Sequence, residues 1–169
     1  MFQVDERMAP RGSSDRNETQ LRSLFLDVVR QPGDHTHLVR VGQGRDAELV
    51  AREYAATLRE STGGELDVVH LGLGDDGHTA SLVPGDALLG ETSLLVGATS
   101  PYRGFRRVSL TYPALAAARH VAWFVVGASK AGPVEKLLVS DPSIPAGRVA
   151  ARNEMIFTDV AANPGSSRS

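Results

Sequence analysis

Apolar residues along this chain fall in two rhythms, short β-branched runs and helical three-to-four spacings, and the two alternate. The densest run, Leu66, Val68, Val69, Leu71 and Leu73, is interrupted only by Asp67, His70 and Gly72 and predicts a strand buried on both faces. Val121 to Gly127 predicts a second such strand and Met155 to Phe157 a last one. Shorter strands are expected at His37 to Val41, Leu94 to Val96 and Val108 to Leu110, and Phe2 to Val4 reads as a strand end opening into a polar loop at Asp5-Glu6-Arg7. Between them, Leu21, Leu24, Phe25 and Val28 share one helical face behind Asn17, a good N-cap, in a helix ending near Pro32-Gly33. Ala47, Val50, Ala51, Tyr54 and Leu58 share a face of a second helix, capped by Asp46 and stopped by Gly63-Gly64. Pro113 opens a short Ala-rich helix through Arg119, and Ser129 is placed to cap another through Val139. The alternation predicts the α/β class with a mainly parallel sheet, one domain over 1–162 and a disordered tail over 163–169.

Composition acts mainly by exclusion. The 169 residues fit one domain with a real core, and 41% hydrophobic and 22% charged residues are ordinary for a globular chain. A formal charge of -2 leaves no basic footprint for nucleic acid. The absence of cysteine excludes thiol catalysis and thiolate metal sites, and fits a cytoplasmic protein. The start is too charged for a signal peptide, and the longest apolar run, Val121 to Gly127, is far short of a membrane span, so no membrane partner is expected.

The candidate chemistry gathers where the Leu66 run breaks into Gly72-Leu73-Gly74-Asp75-Asp76-Gly77, with His78 and Thr79 directly behind. Parallel strands present ligand sites at their carboxyl ends, so this turn is the expected site. It formally matches the G-x-G-x-x-G dinucleotide fingerprint. Against that, Asp75 and Asp76 would set carboxylates where a pyrophosphate must lie, and Pro84-Gly85 leaves no room for a phosphate-receiving helix. His78 is either a structural histidine or a general base, its tautomer fixed by Asp76 two residues earlier; its place in a glycine-hinged turn favours the base. Ser81 lacks the glycines of a nucleophile elbow. His35, His37, His70 and His78 match no standard metal-ligand spacing, and His70 reads as a buried strand residue. Arg7 and Lys130 follow apolar strands and can reach the same sheet edge, where two cations beside glycine-rich backbone suit a phosphorylated ligand; either can equally be a solvated surface charge.

The block from Gly72 through His78-Thr79-Ala80-Ser81-Leu82-Val83 to Pro84-Gly85 resembles the signature of the 6-phosphogluconolactonase family, within the sugar-phosphate isomerase and deaminase-like superfamily. Asp5-Glu6-Arg7 with Pro10, Asn17, Val108-Ser109-Leu110-Thr111, Gly127 with Lys130-Ala131, Pro145-Ala146 and Asp159 with Ala161-Ala162 also fit, in order, over nearly the whole chain. The resemblance implies a three-layer α/β/α fold and hydrolysis of 6-phospho-D-glucono-1,5-lactone to 6-phospho-D-gluconate in the oxidative pentose phosphate pathway, with no metal or cofactor. It implies that His78 activates water, Asp76 orients His78, and Arg7 and Lys130 hold the phosphate. Gly72, Gly74 and Gly77 would contact substrate, with backbone N–H groups of that turn as donors to the developing oxyanion. The related glucosamine-6-phosphate deaminases usually follow the histidine with Ile-Ala-Phe-Asn-Glu, where this chain has Thr79-Ala80-Ser81-Leu82-Val83. The family's members normally carry an earlier strand and helix with a Ser-Gly-Gly-Ser-Thr-Pro-like phosphate loop, so the resemblance is to an N-terminally shortened member. Two alternatives follow: a deaminase relative, or an inactive sugar-phosphate-binding homologue. Unpaired strand edges would favour association into a homo-oligomer.

Overall fold

The computed structural model describes residues 1–30, 32–42, 44–163 and 165, and is built on two three-stranded sheets. One is antiparallel, in the order β1 (Asp5–Arg7), β4 (Arg107–Leu110), β3 (Val96–Ala98). The other is parallel, in the order β2 (Val68–Leu71), β5 (His120–Val125), β6 (Glu154–Thr158). The helices are α1 (Asn17–Leu21), α2 (Asp27–Val29), α3 (Ala47–Thr62), α4 (Tyr112–Ala117) and α5 (Ala131–Leu138). The α/β class therefore stands, with an antiparallel sheet that the strand pattern alone did not specify. The expected tail lies mostly outside the described residues.

The core forms because α3 turns one face inward. Ala47, Val50, Ala51, Tyr54 and Leu58 are all buried, and the helix packs against β3 and β4. Its ends follow the sequence: Asp46 accepts the Leu49 N–H at 2.8 Å, and Gly63 closes the C-terminus at φ 68°, a conformation that favours glycine. Leu71 and Trp123 of the parallel sheet, Leu110 of the antiparallel one and Leu115 of α4 join the same core cluster and are completely buried or nearly so.

Several expectations need correction. The strand near the N-terminus is Asp5–Arg7, so Arg7 lies in a strand and not in a loop; Phe2 makes only an isolated bridge to His37, and His37 to Val41 forms no longer strand. The first helix is interrupted by a π-helical turn, Arg22–Leu26, which shifts its phase. As a result Leu26 is buried while Leu24, Phe25 and Val28 are exposed. Asn17 is not its N-cap. Arg16 holds that position without a side-chain bond, and Glu6 supplies the cap from β1: one oxygen accepts the N–H of Asn17 and the other that of Glu18, both at 2.8 Å. Ser129 likewise caps nothing, since a 3₁₀ turn, Ala128–Lys130, precedes α5.

β2 is buried on one face only. Val69 and Leu71 point into the core, while Val68 is 59% exposed and His70 is exposed rather than buried. Phe124 and Phe157 stand on the same open face, with His70 edge-on to Phe124 at 4.4 Å and the two phenyl rings stacked at 4.9 Å. Among the described residues, nothing covers this face, and no helix is long and apolar enough to cross a membrane.

Candidate active site

Four segments converge at the carboxyl ends of the parallel strands. The chain leaves β2 at Leu71 and enters the glycine turn, and it leaves β5 into Gly127 and the 3₁₀ turn that carries Ser129 and Lys130. These two loops meet: Lys130 pairs with the Asp75 carboxylate, and the Ser129 hydroxyl donates to it at 2.9 Å. Those two partners, Lys130 first, hold the Asp75 carboxyl below its usual range. The Asp159 carboxylate, just beyond β6, accepts the Gly127 N–H at 3.1 Å and fixes the bend before Lys130. From the other sheet, the β3–β4 hairpin brings Tyr102 and β1 brings Asp5.

Within the turn, Asp76 Oδ1 lies 2.5 Å from His78 Nδ1 and also accepts the His78 backbone N–H at 3.1 Å. Its second oxygen accepts from the Tyr102 hydroxyl at 3.0 Å. Burial acts to raise the Asp76 carboxyl, but the hydrogen bonds from His78 and Tyr102 outweigh it and bring it down to about 2. An ionised carboxylate beside Nδ1 requires that nitrogen to carry a proton, so in the neutral ring Nε2 is the basic nitrogen. Among the described residues, Nε2 has no hydrogen-bond partner.

Two glycines make this arrangement possible for different reasons. A Cβ on Gly74 would stand 2.0 Å from His78 Nδ1 and 2.7 Å from Asp76 Oδ1, so only glycine leaves room for the pair. Gly77 sits at φ 80°, and a Cβ there would meet Ile144 at 2.5 Å. The Gly77 carbonyl accepts the Ala146 N–H at 2.9 Å, and the Tyr112 hydroxyl holds Pro145, so Pro145-Ala146 pins the turn from behind. The Gly74 and Gly77 N–H groups are both committed inside the turn, to His78 O and Gly74 O, and are not free to serve an oxyanion.

A cavity of ≈330 Å³ opens here, lined by Gly72, Gly74, His78, Thr79, Lys130 and Asp5 among others. Gly77 and Arg7 stand outside the lining. A larger cavity of ≈700 Å³ runs beside the β2 edge at Val68 and His70, but it holds no histidine–carboxylate pair. Ser81 is buried and its hydroxyl donates to Asp5 at 2.6 Å, which is a structural use. Burial moves the Asp5 carboxyl upward, against the opposing pull of Ser81 and then Arg107.

Sequence reasoning missed Arg107 and Tyr102. Arg107 stands opposite Arg7 in the β1–β4 register and is 5% exposed. The Nε atoms of both arginines are buried without a partner, although the Arg7 guanidinium also reaches the Asp15 carbonyl at 3.1 Å. Burial and then the neighbouring Arg7 lower the Arg107 guanidinium from its ordinary value. Nothing in the spacing marks either residue, because their partners lie far off in sequence. Among the described residues, no group of three or more histidine or carboxylate side chains could hold a metal ion.

The family model for glucosamine-6-phosphate isomerases/6-phosphogluconolactonase matches residues 1–158. The chloroplastic 6-phosphogluconolactonase 3 of Arabidopsis thaliana is 34% identical, over 92% of this chain and 52% of its own length. The chain spans about half the length of the curated relatives it matches. A crystal structure of 6-phosphogluconolactonase from Thermotoga maritima shares the fold with a TM-score of 0.82 and 27% identity, over 93% of this chain and 71% of that one. A monomeric glucosamine-6-phosphate deaminase matches with a TM-score of 0.81 at 16% identity, over 95% of this chain and 72% of that one, a likeness of fold alone.

Proposed function

Because the chain belongs to the glucosamine-6-phosphate isomerase/6-phosphogluconolactonase family, we propose that it hydrolyses 6-phospho-D-glucono-1,5-lactone to 6-phospho-D-gluconate. The observation that carries the reading is the Asp76–His78 pair, with Nε2 unengaged in a cavity that also admits Lys130. His78 Nε2 takes a proton from water as the water oxygen attacks the lactone carbonyl carbon. The tetrahedral intermediate collapses by breaking the bond to the ring oxygen, and the imidazolium returns its proton to that leaving oxygen. Asp76 holds the Nδ1–H tautomer and stabilises the imidazolium. A lactone is an activated ester, so one positioned base supplies a large part of the acceleration, about 10²–10⁴-fold.

The phosphate is assigned to the cations around the cavity. Lys130 is in the lining, and Arg7 with Arg107 stands beyond Asp5 as a paired positive field. Lys130 must share or release Asp75 to reach it. A cytoplasmic location belongs to the same proposal, supported by the absence of cysteine.

A substrate panel tests this. Freshly generated 6-phosphogluconolactone is expected to release acid with a kcat/KM about a hundredfold or more above that of unphosphorylated gluconolactone, the worth of two charged hydrogen bonds. No ammonia is expected from glucosamine 6-phosphate, since Ser81-Leu82-Val83 stands where the deaminases carry Phe-Asn-Glu. Ammonia release without lactone turnover would overturn the proposal in favour of the deaminase.

Gly74→Ala is a second test. Its Cβ displaces the His78 ring, and a misplacement of about 1 Å is expected to lower kcat by roughly 10²-fold. The backbone at Gly74 is not in the left-handed region, so the denaturation midpoint should change little. Full activity in Gly74→Ala would contradict the placement of the base.

A further inference from the structure

We infer that Tyr102 is a positioning residue for the Asp76–His78 pair, clamping the second carboxylate oxygen so that the imidazole keeps one orientation toward the cavity. The inference rests on the lactonase reading above.

The need for a clamp follows from where Asp76 lies. Its side chain is 36% exposed on a solvent-facing turn, and both of its contacts with His78 fall on Oδ1. One oxygen held at one side leaves the carboxylate plane free to swing. The Tyr102 hydroxyl, donating to Oδ2 at 3.0 Å from the opposite sheet, removes that freedom. The phenol ring also stands 6.0 Å from the imidazole, at 63° to it, and so limits ring tilt.

Tyr102 is itself held by two further features. The guanidinium of Arg107 lies over its ring at 5.0 Å and that of Arg103 at 5.1 Å. Arg107 is buried, so this support is fixed. Tyr102 and Phe105 close the hairpin, with the Tyr102 N–H donating to Phe105 O at 2.9 Å. The two residues between them are left-handed, Arg103 at φ 50° and Gly104 at φ 89°, as a tight two-residue hairpin requires. A left-handed arginine is an unfavourable backbone state that this turn tolerates. The charged and titratable groups around the pair are Asp75 beside Asp76, Lys130 and Asp5 in the cavity lining that His78 shares, and Tyr102, which carries Arg103 and Arg107 over its ring.

The test compares Tyr102→Phe, which keeps the ring and its arginine contacts, with Tyr102→Leu, which removes both. Tyr102→Phe is expected to lower kcat by about two- to tenfold with KM within about twofold. Its Asp76 carboxyl, followed by carbon NMR, should titrate above that of the wild-type chain measured alongside, because the Tyr102 hydrogen bond that favours the ionised form is gone. The His78 Nδ1–H resonance should exchange faster with water. Tyr102→Phe matching wild type in all three, while Tyr102→Leu is impaired, would overturn the inference and leave Tyr102 as packing for the arginines. The two NMR readouts need no turnover. A wild-type chain without lactonase activity would therefore defeat the proposed function while the clamp is still decided by Asp76 and His78.

Discussion

His78→Ala is expected to lower kcat/KM for the phosphorylated lactone by about 10²–10⁴-fold while leaving the unfolding midpoint nearly unchanged. Both halves follow from the geometry. The imidazole is bonded only through Nδ1, to the Asp76 carboxylate, and Nε2 is engaged by no described residue, so its removal strips no core contact. Asp76 keeps its bonds to the Tyr102 hydroxyl and the backbone N–H of residue 78, so no buried charge is stranded. The loss should fall on kcat with little change in KM, since the base acts on water and not on the phosphate. Asp76 adds a sign to the pH dependence. Its carboxyl is depressed to about 2 in the folded chain, so its stabilising contribution is complete above its ordinary value and is lost as pH falls through about 2. A decline in activity at mildly acidic pH is therefore not expected to come from Asp76. Steady-state kinetics over pH on wild type and His78→Ala, with urea unfolding of both, check these statements. A His78→Ala rate equal to wild type would remove the histidine from the mechanism.

The second large effect concerns folding. Glu6→Ala is expected to cost about 3–5 kcal/mol, a substantial part of the roughly 5–15 kcal/mol that holds a typical domain. Glu6 is wholly buried at the centre of β1, between Asp5 and Arg7, which point to the other face. Besides capping α1, its carboxylate accepts the Arg7 N–H at 2.7 Å and the Gln3 side-chain amide at 3.0 Å, and faces the Arg16 guanidinium at 3.6 Å. Alanine leaves those N–H donors without an acceptor and the nearly buried Arg16 with the Glu18 carboxylate, 2.5 Å away, as its remaining partner. The cost of a broken buried network exceeds that of a lost surface pair because water cannot replace the missing partner. Urea unfolding, with Glu6→Gln as the milder variant, measures it. A loss below about 1 kcal/mol would contradict the capping role. Since β1 also positions Asp5 at the cavity, partial loss of activity should accompany the loss of stability.

What the sequence made legible was local. The break from Leu71 into the glycine turn, Asp76 two residues before His78, and the Asp46-capped helix with its buried face are all written within a few residues, and all stand in the structure. The unread features depend on partners far along the chain. Asn17 looked like a cap because a short polar residue preceded an apolar rhythm, yet the acceptor comes from Glu6, eleven residues earlier. The Leu24, Phe25 and Val28 stripe has the right spacing, but a π-helical turn rotates it away from the core. The β-branched run in β2 cannot say that one of its faces is bare. Tyr102 meets Asp76 across 26 positions, and Arg107 meets Arg7 across a strand pairing that no pattern announces.

The proposed activity requires that this chain turn a sugar-phosphate lactone over with its own His78. The most direct measurement is acid release from freshly generated 6-phosphogluconolactone by the wild-type chain below pH 7, where spontaneous opening is slow. A rate proportional to chain concentration and well above the spontaneous rate is expected. A chain with intact circular dichroism whose rate equals that of buffer would contradict it.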